Sequence, residues 1–404
     1  MLTMEHWRKT IFFIWIAQIL SISGFSFALP FLPYYIQEMG VTDEDSVKLW
    51  SGILMAVATF SLAVASPIWG ALGDRYGRKK MLLRAMGSGV VIMIAMSYAQ
   101  SVEHLVILRI CQGLFTGTMA MSMIFVAATA PQERSGSALG FIHTANFIGF
   151  FLGPFIGGYA AQTFGYRRCF FIGGCIIALA FLTVLIFVRE NFQKPESHEK
   201  LDGAGTNLQS IMGDKVYLML IAIILLFSFA RSMVRPLIPL HVQNVAVLSP
   251  DEVSSKAGML IGALGLMTAL SGISAGRLAD KYGKAGIAYF FCIISIPWII
   301  LAGIAPTFPL LFAGMTIYAF LAGGVDPVLQ SIIADKTSQK SRGTAFGIVY
   351  SFRYIILGIS PLVGSVIAVA ASIRWVFVIS AMLLLVLSVL IGKYKTLYSA
   401  PVQV

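Results

Sequence analysis

Long apolar runs alternate with short polar interruptions from one end of the chain to the other, and this pattern sets the architecture. Twelve runs are each long enough to cross the roughly 30 Å hydrocarbon core of a bilayer. They lie at about 10–36, 49–72, 81–100, 103–129, 137–162, 166–188, 215–242, 253–279, 285–305, 308–334, 342–368 and 372–393. The runs are continuous rather than alternating, which predicts helices that satisfy their own backbone, not the strands of a barrel. The expected fold is therefore an all-α membrane protein of twelve transmembrane helices.

The runs fall into two sets of six that repeat at an offset of 206 or 207 residues. Pro30 and Pro33 are matched by Pro236 and Pro239, and Gly52, Gly70, Asp74 and Gly77 by Gly258, Gly276, Asp280 and Gly283. Gly140, Pro154 and Gly157 are matched by Gly347, Pro361 and Gly364. Six helices per repeat put both halves into the membrane in the same sense, and parallel repeats place a substrate site where the halves meet. The expected domains are residues 1–190, a polar cytoplasmic linker at 191–214, and 215–404.

Composition agrees: 58% of the 404 residues are hydrophobic and 12% charged, against about 25% charged in soluble domains. The net charge of +11 would suit nucleic acid, but most Lys and Arg crowd the same side as the N-terminus. The opposite side keeps Lys48, Arg167, Arg168, Lys256 and Arg374. That bias places both termini in the cytoplasm and needs no nucleic-acid partner. The first run follows Trp7-Arg8-Lys9 and is too long for a signal peptide, so it reads as an uncleaved span. Cys111, Cys169, Cys175 and Cys292 show no metal-type spacing and read as apolar filler. No metal or organic cofactor is expected, and nothing resembles a nucleotide loop or a catalytic set.

Two stretches carry most of the information. Gly70-Ala-Leu-Gly-Asp74-Arg75-Tyr-Gly77-Arg78-Lys79 joins the second and third runs. Its glycines suit a tight turn, and Asp74 could face the positive end of a neighbouring helix. Gly140 to Gly158 reads GFIHTANFIGFFLGPFIGG. Gly149, Gly153 and Gly157 fall four apart, a stripe along which another membrane helix can approach closely. Pro154 removes a ladder hydrogen bond beside it, and Gly158 follows. Helix 8, with Gly258, Gly262, Gly265, Gly272 and Gly276, offers a matching smooth face. The second copy of the stripe is fainter, with Ile356 and Ser360 in place of two glycines.

These motifs, with Leu108-Arg109-Ile-Cys-Gln112-Gly113 in the fourth run, resemble the major facilitator superfamily, and specifically its twelve-helix drug:proton antiporters. The resemblance covers essentially the whole chain. It implies two six-helix bundles, a cavity lined by helices 1, 4, 7 and 10, and a latch in which Asp74 meets helix 11 near Arg342-Gly343. It further implies proton coupling through Arg109, Asp74 and an acid in helix 10, Asp326, energised by a proton gradient. The stretch from Gly140 to Gly158 matches the antiporter signature and argues for export. The setting it implies is the bacterial inner membrane, with protons, a small-molecule substrate and lipid as partners and a monomer as the working unit.

Five charged residues lie well inside the runs: Arg109, Arg231, Arg235, Asp326 and Arg353. Such groups are costly in hydrocarbon and are functional candidates by default. Asp326 sits roughly 12 Å from the cytoplasmic end of its helix, where it could exchange protons; the alternative is a structural ion pair with Arg353 or another arginine. Arg231 and Arg235 are one helical turn apart. Four arginines against one aspartate suit an anionic cargo such as a carboxylate siderophore, although Arg235 is near enough to the outside to snorkel. His143 and Asn146 share a face of the fifth helix and could touch substrate or relay protons, or simply pack. The expected activity is proton-coupled export of small molecules, of the drug or metabolite efflux type. The alternatives are an exporter of anionic metabolites, a lipid translocator or an importer.

Overall fold

The structure, a computed structural model, describes residues 4–131, 134–190, 215–245, 250–337 and 342–398. Among these residues there is no strand, and twelve helices are long and apolar enough to cross a membrane. In the first half they are α1 (Met4–Ala28, then Leu32–Glu38), α2 (Glu44–Tyr76), α3 (Arg78–Ser97), α4 (Val102–Phe115, then Thr118–Thr129), α5 (Ser135–Phe164) and α6 (Tyr166–Phe187). The second half repeats the series: α7 (Lys215–Val234, then Ile238–Val245), α8 (Pro250–Tyr282), α9 (Lys284–Ile304), α10 (Phe308–Gly323, then Val325–Lys336), α11 (Arg342–Ala370) and α12 (Ile373–Tyr398). The expected linker at 191–214 lies outside the described residues.

Four helices are interrupted, and the interruptions obey the repeat. α1 and α7 pass through one 3-10 turn each, Leu29–Phe31 and Arg235–Leu237, carrying Pro30 and Pro236. Proline has no N–H to continue the ladder, so the chain tightens there. α4 breaks at Thr116 and Gly117, where Gly117 has φ 109°, a backbone state that only glycine adopts without strain. α10 breaks at Gly323 and Gly324. By contrast α5 and α11 run through Pro154 and Pro361 without ending.

By contacts the chain divides into two compact units. One is Met1–Glu196 with Val247–Leu266, the other Ser197–Ala246 with Met267–Val404. The first part of α8 thus belongs with the first bundle, and glycine is the reason. A Cβ at Gly158 would stand 2.7 Å from the Ser254 carbonyl and 2.9 Å from the Gly258 Cα. Gly262 and Gly265 are as close to the backbone of Phe151 and Phe150, at 2.9 and 3.0 Å. Tyr166 and Ser254 share a 2.6 Å hydrogen bond at the same end.

The Gly149–Gly153–Gly157 stripe packs on α1, inside its own bundle, rather than on the glycine face of α8. A Cβ at Gly149 would meet the Ile22 side chain at 2.7 Å, and one at Gly153 the Ser23 carbonyl at 2.8 Å. At Gly157 it would collide with the carbonyl of Phe27. Two neighbouring faces of α5 therefore serve two helices: the stripe holds α1, and Pro154 with Gly158 meets α8. In the second bundle Gly364 presses on the Met233 carbonyl of α7, the repeat's counterpart of Gly157 on Phe27.

Candidate functional site

Membrane helices that break in corresponding places of two repeats mark where ligands and ions bind, because freed backbone groups are affordable only there or where other donors replace them. Here the broken helices are α1, α4, α7 and α10. Arg109 lies on α4, Arg231 on α7, Arg235 in its 3-10 turn and Asp326 on α10, while Arg353 lies on the unbroken α11.

Asp326 occupies the first turn of the second segment of α10, two residues past the Gly323–Gly324 break. Glycine permits the break to nest into α8: a Cβ at Gly323 would stand 2.8 Å from the Thr268 Cα, and one at Gly324 would collide with Ala275. A carboxylate at a helix N-terminus is electrostatically favoured. Arg353 of α11 completes the arrangement with a two-pronged contact, Nη2 to Oδ2 at 2.7 Å and Nη1 to Oδ1 at 3.1 Å. The side chains are 15% and 21% exposed respectively, so the pair is largely shielded but reachable. One turn on in α10 and one turn back in α11, Tyr350 donates to Gln330 at 3.1 Å. The result is a polar ladder between α10 and α11.

Arg109 of α4 is held differently. It is 7% exposed, its Nε donates to the Leu54 carbonyl of α2 at 2.8 Å, and its Nη1 to Gln112 at 2.5 Å. Among the described residues no carboxylate pairs with it. Gly113, one position past Gln112, lies against the α2 backbone, 2.6 Å from the Ser61 Cβ by the position of an added Cβ. The guanidinium is thus a buried cation fixed by carbonyl and amide oxygens.

Asn146 joins a buried polar relay across α1, α4 and α5. Ser122 donates to Gln18 Oε1 at 2.7 Å, and Gln18 Nε2 donates to Asn146 Oδ1 at 3.2 Å. Ser21 bonds Thr118 at 3.2 Å beside them. The Asn146 Nδ2 is buried and has no hydrogen-bond partner among the described residues. His143, one turn away, is half-buried. Close by, Trp15 stacks on Phe141 at 5.0 Å and donates to Thr144 at 2.9 Å.

Arg231 is half-buried near the end of the first segment of α7, 5.8 Å from the Phe227 ring. Arg235 opens the 3-10 turn and is exposed, so the helix ends between two residues expected to share one continuous face. Neither has a carboxylate partner among the described residues.

In the loop after α2, Gly77 takes φ 99° and its N–H closes on Gly73 at 3.1 Å. Gly70 has open space beside it, and Arg75 lies 5.3 Å from the Tyr76 ring. The Asp74 side chain lies outside the described residues, as does that of Arg342, where the resemblance places the latch. The N–H groups of Arg78 and Lys79, which open α3, donate to the two oxygens of Glu190 at 2.9 and 2.8 Å. Glu190 is a distant cap that sequence reasoning passed over, since its partner lies more than a hundred residues away.

A second group also escaped the sequence. The carbonyls freed by the α4 break receive three donors: Trp69 Nε1 to Leu114 at 2.6 Å, Arg84 Nη1 to Phe115 at 2.9 Å and Ser88 to Phe115 at 2.7 Å. The Arg84 guanidinium stacks 3.4 Å from the Trp69 ring centroid. A cation at a helix C-terminus complements its dipole. Nothing around Gly117 in the sequence hints at this, and Arg84, near the start of its run, reads as one of the basic residues at the cytoplasmic end.

Comparison with known proteins agrees with this architecture. The "Major Facilitator Superfamily" model matches residues 14–302 and 290–401. The chain is 31% identical over 384 residues to a multidrug resistance protein MdtG of Rahnella sp. (strain Y9602), covering 94% of this chain and 92% of the relative. It is 33% identical over 381 residues to a protein of the same description from Escherichia coli, covering 93% and 92%. Among solved structures, a bacterial homolog of the human lysosomal transporter Spinster superposes with TM-score 0.80 at 14% identity, covering 98% of each chain. The nucleoside transporter NupG superposes with TM-score 0.76 at 13% identity, covering 95% and 99%. The chain is a multi-pass membrane protein and belongs to the Major Facilitator Superfamily, with relatives described as multidrug resistance proteins.

Proposed function

We propose that the protein is a proton-coupled exporter of small organic molecules that works by alternating access, in a bacterial cytoplasmic membrane with both termini inside. The observation that carries this reading is the Asp326–Arg353 pair at the α10 break. A carboxylate held bidentately by a guanidinium is a two-state element. Ionised, it ties α10 to α11; protonated, it loses the charge that holds Arg353 and frees that side chain. Coupling of this kind links proton arrival to a change in how two helices are joined, with the proton gradient as the energy source and no cofactor.

The cargo reading leans on the relatives and on a smaller cationic surplus than the sequence suggests. Arg353 is neutralised by Asp326, and Arg109 is spent on Leu54 and Gln112. Arg231 and Arg235 remain, which weakens the case for an anionic cargo. The two MdtG relatives are described as multidrug resistance proteins, and drug efflux is the cargo class proposed here. Asn146, His143, Arg231 and Arg235 are the proposed substrate contacts, and Asp74 with the Gly70–Gly77 turn the proposed conformational latch.

Proteoliposomes test the proposal. Addition of a cationic dye substrate to vesicles holding a pH-sensitive fluorophore should drive proton movement with the native chain. Asp326→Asn should bind the dye yet move no protons. Retention of dye-driven proton movement by Asp326→Asn would remove the coupling assignment.

A further inference from the structure

At the junction of α8 and α9 the chain turns through Gly283, with φ 89°, and leaves a groove of about 400 Å³ on the surface of the second bundle. Leu278, Tyr282, Gly286, Ile287, Phe290 and Phe291 line it. Tyr282 and Phe290 are 62% and 51% exposed, so the slot is open and its lining is mainly apolar.

Its rim is basic at one end. The Lys281 amine stands 5.1 Å from the Tyr282 ring centroid. The Lys395 amine, from the end of α12, reaches within 3.8 Å of where a Gly286 Cβ would sit. Lys284 opens α9 and is paired with Asp335 at 2.5 Å, while Lys281 and Lys395 have no carboxylate partner among the described residues. Asp280 is exposed on the same turn of α8, and Arg277, one turn earlier, is exposed as well. The cations outnumber the acids at this rim, and two of the lysines are unspent.

An apolar slot with unpaired amines at one end has the chemistry of a single phospholipid with an anionic headgroup. We infer that this groove is a binding site for an acidic phospholipid, with an acyl chain along Ile287, Phe290 and Phe291 and the phosphate between Lys281 and Lys395. The apolar slot alone would take any lipid chain; the two unpaired amines favour the acidic one, since a zwitterionic headgroup brings its own ammonium to the same place. Gly286 matters because its missing side chain leaves both the floor of the slot and the approach of Lys395 clear.

Native mass spectrometry of the full chain in detergent tests this, titrating phosphatidylglycerol and, separately, phosphatidylcholine with the same acyl chains. The native chain should retain one phosphatidylglycerol more strongly than phosphatidylcholine. Lys281→Gln with Lys395→Gln should weaken phosphatidylglycerol about thirtyfold, from the contribution of each basic residue near an anionic surface. Gly286→Phe should displace it by filling the slot. Lys80→Gln, an exposed lysine of the first bundle, should change nothing. Equal retention of the two lipids by the native chain, unaltered phosphatidylglycerol retention in the double variant or in Gly286→Phe, or an equal loss in Lys80→Gln would each overturn the site.

Discussion

The breaks in α4 and α10 stand at equivalent places in the repeat and are finished by opposite charges. At Thr116–Gly117 the exposed ends are carbonyls, and Arg84, Trp69 and Ser88 supply donors to them. At Gly323–Gly324 the charge is an acid in the first turn of the following segment, Asp326, itself gripped by Arg353. The α4 break meets the requirement that backbone freed inside a membrane must find partners, while at both breaks the charge is aligned with the helix dipole. They differ in what they can do. A guanidinium stays charged near neutral pH, so the α4 break is a fixed clamp. Under the proposed function the α10 break is the switch, since its charged group is a carboxylate that could take up the coupled proton. One bundle would then hold its broken helix while the other releases it.

The sharpest way to break this comparison is to remove one partner of the switch. Arg353→Ala leaves Asp326 largely shielded and unpaired, and should cost about 3 kcal/mol of stability together with all proton-linked transport. Exchanging the residues, Asp326→Arg with Arg353→Asp, should recover most of the thermal stability but not the coupling. If the exchanged protein transports normally, the helix-terminal position of the acid is irrelevant.

The glycine contacts give the next largest effect. Gly157→Ala drives a methyl into the Phe27 carbonyl and should cost about 2 kcal/mol, as overpacking of a tight contact does; Gly364→Ala should match it against Met233. Gly140→Ala, which has open space, should be neutral in thermal unfolding. A neutral Gly157→Ala would show that α1 and α5 approach less closely than described.

The clamp itself should be worth less. Arg84→Gln loses a charged cap and a stacked cation, about 1–2 kcal/mol, and should leave the pH dependence of transport in place. Arg84→Lys should restore part of the stability. Loss of pH dependence in Arg84→Gln would mean that the clamp, too, is part of the switch.

The smallest effect lies outside the membrane. Asp43 caps α2 by accepting from the Ser46 hydroxyl and N–H at 2.5 and 2.8 Å, and these bonds hold its carboxyl below the usual carboxylate range. A carboxyl lowered on folding adds stability above its unfolded value, near pH ~3.9, and that stability fades as pH falls through the folded value. Asp43→Asn should therefore flatten a slight loss of thermal stability between neutral and acidic pH; an unchanged slope would mean that the cap contributes nothing.

Hydrophobic runs made the twelve helices legible, because length and continuity alone decide whether a segment can span. They hid the breaks. Gly117 and Gly323-Gly324 interrupt a helix without interrupting hydrophobicity, and only the repeat of Pro30 and Pro236 hinted at the 3-10 turns. The glycine stripe was legible as a close contact, but a stripe does not name its partner; α1 takes it, while the adjoining face meets α8. The ion pair of Asp326 was one of two alternatives the sequence left open, since helix depth places both residues in the same layer without orienting either. Glu190 and Arg84 were invisible as caps because their partners are backbone atoms of remote helices.

Difference infrared spectroscopy on acidification tests the switch most directly. The native chain should show a protonated-carboxyl band that rises as Arg353 is released and that Asp326→Asn abolishes, while Arg84→Gln leaves it intact. A band that persists in Asp326→Asn, or one that disappears in Arg84→Gln, would contradict the division of labour between the two breaks.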